Sequence, residues 1–276
     1  MAETKPVFLV IGAGAGIGGH AAKRFAAGGY HAVLARRSDE DGLARLVGEI
    51  ENAGGSASGV LLNASEDGAI EDLVARIESD IGPIDSVLYN LGAQIGNRTL
   101  HDTPHKTFEL GWRLGCYGVF RLAHAMFPAM VERGKGSLLV TSATAAVRGN
   151  AGQHSHAAAM GGRRMLCQTL NAEFGPQGVH VAHVVVDGPV RSPDTLVKLL
   201  GDKWDAFEAA KGEEGIIDPA VLAETYWHLA QQPRNCWSHE LDVRPFNDVP
   251  WWNDNPDPTI NSRAGKPGFA GPGEYT

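Results

Sequence analysis

The feature that most restricts how this chain can fold is Gly12-Ala-Gly14-Ala-Gly16-Ile-Gly18-Gly19, set between the apolar run Val7–Ile11 and a segment of helical spacing. A strand that ends in glycines and leads at once into a helix makes a turn tight enough for a ligand to reach the backbone. The first helical turn then presents unpaired N–H groups and the positive end of the helix dipole. Such a place suits an anion, above all the pyrophosphate of a dinucleotide. Gly12, Gly14, Ala15, Gly16, Ile17 and Gly18 are the candidate contacts. A glycine-rich turn without a ligand is the alternative, and the flanking strand and helix weigh against it.

Beyond the loop, short apolar runs alternate with longer segments of helical period, the pattern of repeated βα units around a parallel sheet. Strands are expected at Val7–Ile11, Ala32–Ala35, Ser58–Leu62, Ser86–Asn90, Ser137–Thr141 and Val179–Val186, with a short last one at Glu240–Val243. Their nearly continuous apolar character fits strands covered on both faces. Helices are expected at Gly16–Ala27, Asp39–Ala53, Glu66–Asp80, Lys106–Arg133, Gly152–Phe174 and Pro219–Gln231. The predicted fold class is therefore α/β, a doubly wound parallel seven-stranded sheet with helices on both faces, in one domain over residues 1–245. Residues 188–215 interrupt the rhythm and carry a short helix at Asp194–Ala210. They form either a lid over a substrate or a long connection. Residues 246–276 form a Pro-, Gly- and Trp-rich tail, disordered or docked through Trp251 and Trp252.

The spacing Gly12-x-x-x-Gly16-Ile-Gly18 resembles the cofactor loop of the short-chain dehydrogenase/reductase family, a Rossmann-type fold. Two further landmarks agree. Tyr89-Asn90-Leu91-Gly92 stands where that family has Asn-Asn-Ala-Gly, and Asp187-Gly188-Pro189-Val190-Arg191-Ser192 where it has Pro-Gly-x-Val-x-Thr. The resemblance runs from about Val7 to Arg244. It implies strand order 3-2-1-4-5-6-7, a nicotinamide cofactor, a small-molecule substrate, and dimers or tetramers built on two long helices. It adds Asn90, Gly92, Gly188 and Val190 to the cofactor contacts, with Asn63 toward adenine although the family has Asp there. At the end of the second strand, Leu34-Ala35-Arg36-Arg37 has no carboxylate to repel a 2′-phosphate. Two guanidiniums there are able to fork it, so NADP(H) is favoured over NAD(H). Solvated loop charges are the other reading of Arg36 and Arg37.

The chemistry that the resemblance implies is missing. The family uses a tyrosine, a lysine four residues later, a serine and an asparagine, but no Tyr-x-x-x-Lys occurs anywhere in this chain. Anchoring on Gly149-Asn-Ala-Gly152 puts His156 at the tyrosine, Met160 at the lysine, Ala143 at the serine with Ser142 beside it, and Gly115 at the asparagine. Three readings follow. His156 can replace the tyrosine as acid–base group of a non-standard oxidoreductase, with Ser142 or Thr144 orienting a carbonyl. The chain can be a catalytically degenerate subunit that assembles with an active homologue. Or His156, His154 and Arg163 can carry out a non-redox lyase or isomerase step. A helical histidine is often only packed or solvent-facing, and His20 and His183 read as structural.

Other features bound the surroundings. Trp112, Tyr117, Gln94 and Asn97 are candidate pocket residues, and Tyr117-x-x-x-Arg121 reads as packing plus surface charge. The small-sided stretch Ala157–Gly162 predicts close approach of a second helix across an interface, or of a bulky ligand. A net charge of −8 without a basic run argues against nucleic acid and anionic membrane as partners. No apolar run approaches the roughly 20 residues of a membrane span. Cys116, Cys167 and Cys236 form neither a disulfide framework nor a CxxC metal pair, so no metal is expected. No signal peptide is read at the start, and a cytoplasmic location is expected.

Overall fold

A computed structural model describes residues 5–92 and 98–253. In chain order the elements are β1 (Val7–Ile11), α1 (Ile17–Ala27), β2 (His31–Arg36), α2 (Glu40–Asn52), β3 (Ser56–Leu61), α3 (Ala69–Asp80) and β4 (Ile84–Tyr89). There follow α4 (His105–Trp112), α5 (Gly118–Arg133), β5 (Gly136–Ala143), α6 (His154–Phe174), β6 (Val179–Val186), α7 (Lys198–Leu200), α8 (Trp204–Lys211), α9 (Pro219–Ala230) and β7 (Glu240–Val243). The strands form one sheet in the order β3-β2-β1-β4-β5-β6-β7, with every neighbouring pair parallel.

Alternation along each strand explains the two layers. Val7, Leu9 and Ile11 face one core with Ile70, Leu73, Leu122, Met126 and Cys167 from α3, α5 and α6. Phe8 and Val10 face the other with Ala21, Phe25, Leu46, Leu222 and Tyr226 from α1, α2 and α9. Because both faces are covered, β1 is buried at all five residues, and the near-continuous apolar runs are accounted for. The chain turns from β1 to β2 on one side and crosses to β4 on the other. A crevice therefore opens beyond the C-terminal ends of β1 and β4, where a doubly wound sheet binds its ligand.

Several elements depart from expectation. The helix expected over Lys106–Arg133 is interrupted by a π turn at Arg113–Tyr117 between α4 and α5. The single helix expected at Asp194–Ala210 is instead a π turn at Pro193–Val197, the short α7, a 3-10 turn at Gly201–Lys203 and α8. The first part of the tail is docked. Trp251 N donates to Asp187 Oδ2 at 2.9 Å, Arg148 Nη1 donates to Trp251 O at 3.1 Å, and Val249 is buried. Residues 247–251 thus pack on the domain that was expected to end at 245, with Phe246 and Trp252 exposed, while 254–276 lie outside the described residues. The span His105–Arg133 is long and apolar enough to cross a membrane by composition, contrary to the sequence expectation. Its apolarity is explained by packing, since α5 buries Val119, Leu122, Met126 and Phe127 in the core beside the sheet.

Candidate functional site

The glycine loop is folded onto itself. Gly12 N and Ala13 N both donate to Ala35 O, while Gly12 O accepts from Gly14 N and from Asn90 Nδ2 at 3.1 Å. A Cβ at Gly18 would collide with Gly12 O, so this position admits only glycine. Gly14 and Gly16 differ, because their bare sides face outward to the segment that follows β6. A Cβ at Gly16 would lie 2.6 Å from Ser192 Oγ, and one at Gly14 would lie 3.5 Å from Asp194 Oδ2. No side chain caps α1. An uncapped helix start, an outer face kept free of Cβ atoms, and an Ala15 N–H already holding a carboxylate oxygen at 2.9 Å together fit the phosphates of a dinucleotide.

Of the remaining candidate cofactor residues, Asn90 bonds the loop directly and Arg36 reaches it through Asp194. Arg36 lies at the end of β2 and, contrary to the expectation of a site without a carboxylate, its Nη2 is 3.0 Å from Asp39 Oδ2 and 3.4 Å from Asp194 Oδ2, so it is not a solvated loop charge either. Arg37 is exposed. Asn63 closes its own turn, its Oδ1 accepting from Ser65 N and Ser65 Oγ and its Nδ2 donating to Glu66. Gly92 is exposed at the end of the β4 strand run. Gly188 packs against Pro245, and Val190 forms an isolated parallel bridge with Ile217.

His156 lies in the first turns of α6, half-buried, with its Nδ1 buried and without a hydrogen-bond partner. Burial first, and the charge of Arg163 second, hold its imidazole below the ordinary histidine pKa. It lines a small polar cavity with His154, Ser155, Gln153, Arg98, Thr103 and Thr107. Neither Ser142 nor Thr144 lines that cavity. Ser142 Oγ instead points at Met160 Sδ, 3.9 Å away and one helical turn beyond His156. Of the pocket residues expected from sequence, Gln94 and Asn97 lie outside the described residues. Trp112 packs where a Cβ at Gly162 would stand, so the small side of α6 receives the chain's own α4. A second subunit or ligand is not needed to explain that glycine.

Sequence reasoning missed what fills the space behind the site. Arg163 is fully buried, and its hydrogen bonds go to backbone carbonyls rather than to a carboxylate. Its Nε donates to Gly115 O, its Nη1 to Thr141 O, and its Nη2 to Leu91 O at 2.6 Å. One cation thus ties together the π turn, β5 and the end of β4. Tyr89, where the family has Asn, is fully buried with its pKa pushed up to about 12 by burial, and its Oη donates to Leu114 O at 2.6 Å. The Tyr117/Arg121 pair also differs from expectation. Arg121 is buried rather than a surface charge, and its guanidinium forks Glu71 at 2.8 and 2.5 Å.

A glycine turn at the switch point of a doubly wound parallel sheet defines a dinucleotide-binding protein of Rossmann type. The family model for short chain dehydrogenases matches residues 6–196. The chain belongs to the short-chain dehydrogenase/reductase family. It is 35% identical over 231 residues to the short-chain reductase protein NovJ of Streptomyces niveus, covering 82% of this chain and 87% of that one. A short-chain dehydrogenase from Rhodopseudomonas palustris, at 31% identity, superposes with TM-score 0.73 over 87% of this chain and 99% of its own. A variant of actinorhodin polyketide ketoreductase solved with NADPH, at 26% identity, gives TM-score 0.77 over 88% of this chain and 98% of its own.

Proposed function

We propose that the protein binds NADP(H) on the glycine loop and acts as a non-standard oxidoreductase on an alcohol or carbonyl, with His156 as the acid–base group. The observation that carries this reading is the buried, unpartnered Nδ1 of His156 at the register of the missing tyrosine. The NADPH-bound polyketide ketoreductase and the short-chain reductase among the relatives support the cofactor and the reaction class. The bound nicotinamide would supply hydride acceptance or donation, and the protein's own residues would bind it, orient the substrate and move the proton. Held below its ordinary pKa, the imidazole is neutral at pH 7 and available to take a proton from an alcohol, and its protonated form would return that proton in the reverse direction. Three free cysteines, two of them buried, agree with a reducing cytoplasm.

The test is nicotinamide absorbance with a panel of aryl and aliphatic secondary alcohols and their ketones. His156→Phe is expected to lower kcat by about 10²–10⁴-fold while leaving NADPH affinity unchanged. The rate of the unsubstituted protein should rise with pH on the acid side and reach its plateau below the ordinary histidine range. An unchanged rate in the variant would sink the assignment. The lyase reading is weakened because Arg163 donates to three backbone carbonyls and is fully buried. The degenerate-subunit reading keeps one specific support, the exposed Phe108, Trp112, Tyr117, Phe120 and Met165 on α4, the π turn, α5 and α6. Turnover that appears only in a complex with a second dehydrogenase would favour it. A self-assembled oligomer is the arrangement we propose for that surface.

A further inference from the structure

The segment after β6 reaches back over the glycine loop. Its two ends are pinned elsewhere, by the bridge between Val190 and Ile217 and by the ion pair of Lys211 Nζ with Asp248 Oδ2 at 2.7 Å. Within it, Arg191 pairs with Glu208 and lies over the ring of Trp204. The middle of the segment meets the loop through Ser192, beside Gly16, and through Asp194. One oxygen of Asp194, Oδ2, accepts from Ala15 N at 2.9 Å and faces Arg36 Nη2 at 3.4 Å.

A backbone N–H and a guanidinium converging on one oxygen form a seat for an anion. Arg36 is only 14% exposed, so the charge beside Ala15 is partly shielded from water, whereas Asp194 is 34% exposed and able to leave. The seat between Ala15 N and Arg36 Nη2 is the place of a single oxygen, so a carboxylate and a phosphate cannot occupy it at once. We propose that Asp194 is a specificity-determining residue for the cofactor. In the nucleotide-free protein its carboxylate occupies the anion seat and closes residues 192–203 over the glycine loop. The 2′-phosphate of NADP(H) would reach Ala15 N and Arg36 together and displace it, while the pyrophosphate that both nucleotides share would lie farther along the loop at the uncapped start of α1 and leave Arg36 to the carboxylate. The inference rests on the NADP(H) reading above and adds an exchange of anions to it. Asp39 remains on Arg36 in either state, so the guanidinium is never without a carboxylate.

The cost of the closed state appears as a reduced apparent affinity, by the fraction of molecules whose seat is open. Calorimetric titration of NADPH, NADH and adenosine 2′,5′-bisphosphate into the full chain and its Asp194→Asn variant tests this without any turnover. NADPH and the bisphosphate are expected to bind the variant about three- to tenfold more tightly, and NADH to change by less than about twofold. Hydrogen exchange supplies a second reading, with residues 192–203 of the nucleotide-free variant exchanging faster than in the unsubstituted protein. Equal or weaker NADPH binding by a folded variant, or equal exchange, overturns the proposal. Weaker NADH binding overturns it too, by making Asp194 an acceptor for ribose hydroxyls. If the unsubstituted chain binds NADPH and the variant matches it, the anion exchange falls and the cofactor reading stands. If neither protein binds any of the three nucleotides, both fall.

Discussion

At His183 on β6 the two ring nitrogens meet opposite fates. Nδ1 lies 3.0 Å from Glu240 Oε2, and Nε2 is buried with no partner. The neutral ring can donate from Nδ1, but protonation would put a second N–H where no acceptor waits. Burial therefore dominates over the attraction of Glu240, and the pKa falls to about 4 from 6.5. The sign of the stability effect follows. Between pH 6.5 and 4 the unfolded chain takes up a proton that the folded one refuses, so stability falls as pH drops through that window. At about 1.4 kcal/mol per pH unit the loss amounts to roughly 2–3 kcal/mol. His183→Gln, which retains a donor for Glu240, should flatten the pH dependence of the urea midpoint over that range. An unaltered slope would show that another group carries it. The contrast with His156 is instructive, because the same burial there leaves an unpartnered nitrogen beside a cavity rather than inside the sheet. The sequence separates the two by register, His156 at the position of the family's tyrosine and His183 inside a strand, yet it does not show what surrounds either ring. The difference is made by which strand or helix covers each ring.

At the scale of elements, two carbonyls of the π turn Arg113–Tyr117 accept from distant side-chain donors. Leu114 O takes the hydroxyl of Tyr89, and Gly115 O takes Nε of Arg163. The tyrosine fits only because the residue at 118 is glycine, since a Cβ there would collide with Tyr89 Oη. Gly118→Ala is accordingly expected to cost about 1–3 kcal/mol. The cost should shrink when Tyr89→Phe removes the obstructing oxygen. A double-mutant cycle by chemical denaturation measures this coupling, and strictly additive effects would refute it. None of this was legible in advance. Apolar spacing through Lys106–Arg133 tolerates one extra residue, so the helix read as unbroken. The three acceptors of Arg163 come from separate stretches at Leu91, Gly115 and Thr141, which no local pattern joins. Arg121 was misread for the same reason, its partner Glu71 lying 50 residues away in the chain. The strands and the glycine loop, by contrast, were legible because their signals are contiguous in sequence: unbroken apolar runs, and glycines placed directly between a strand and a helix.

At the scale of the whole molecule, sheet order and layer assignment followed from alternation and resemblance, whereas for the tail the sequence left disorder and docking through Trp251 and Trp252 both open, and the structure docks Trp251. Asp187, standing where the family has proline, supplies the carboxylate that holds Trp251. The remaining question at this scale concerns the outer face of the long helices. Phe108, Trp112, Tyr117 and Phe120 follow one another at intervals of four, five and three residues, and the wider step coincides with the π turn. Tyr117 and Phe120 stack with ring centroids 6.1 Å apart, and Phe120 is 47% and Met165 of neighbouring α6 50% exposed. A strip of large apolar side chains on adjoining helices is the kind of surface that a two-fold axis buries against itself. In such an isologous contact each substitution occurs twice. Phe120→Glu combined with Met165→Glu would then place four carboxylates in an apolar interface, at a cost of several kcal/mol through desolvation and like-charge repulsion. Light scattering should find the unsubstituted protein at a multiple of 29.3 kDa and the double variant at 29.3 kDa with its fold retained by circular dichroism. A multiple preserved in the variant would move the interface elsewhere on the molecule. An unsubstituted protein already at 29.3 kDa would remove the self-association and leave the strip for a different dehydrogenase subunit, which is the assembly the degenerate-subunit reading requires.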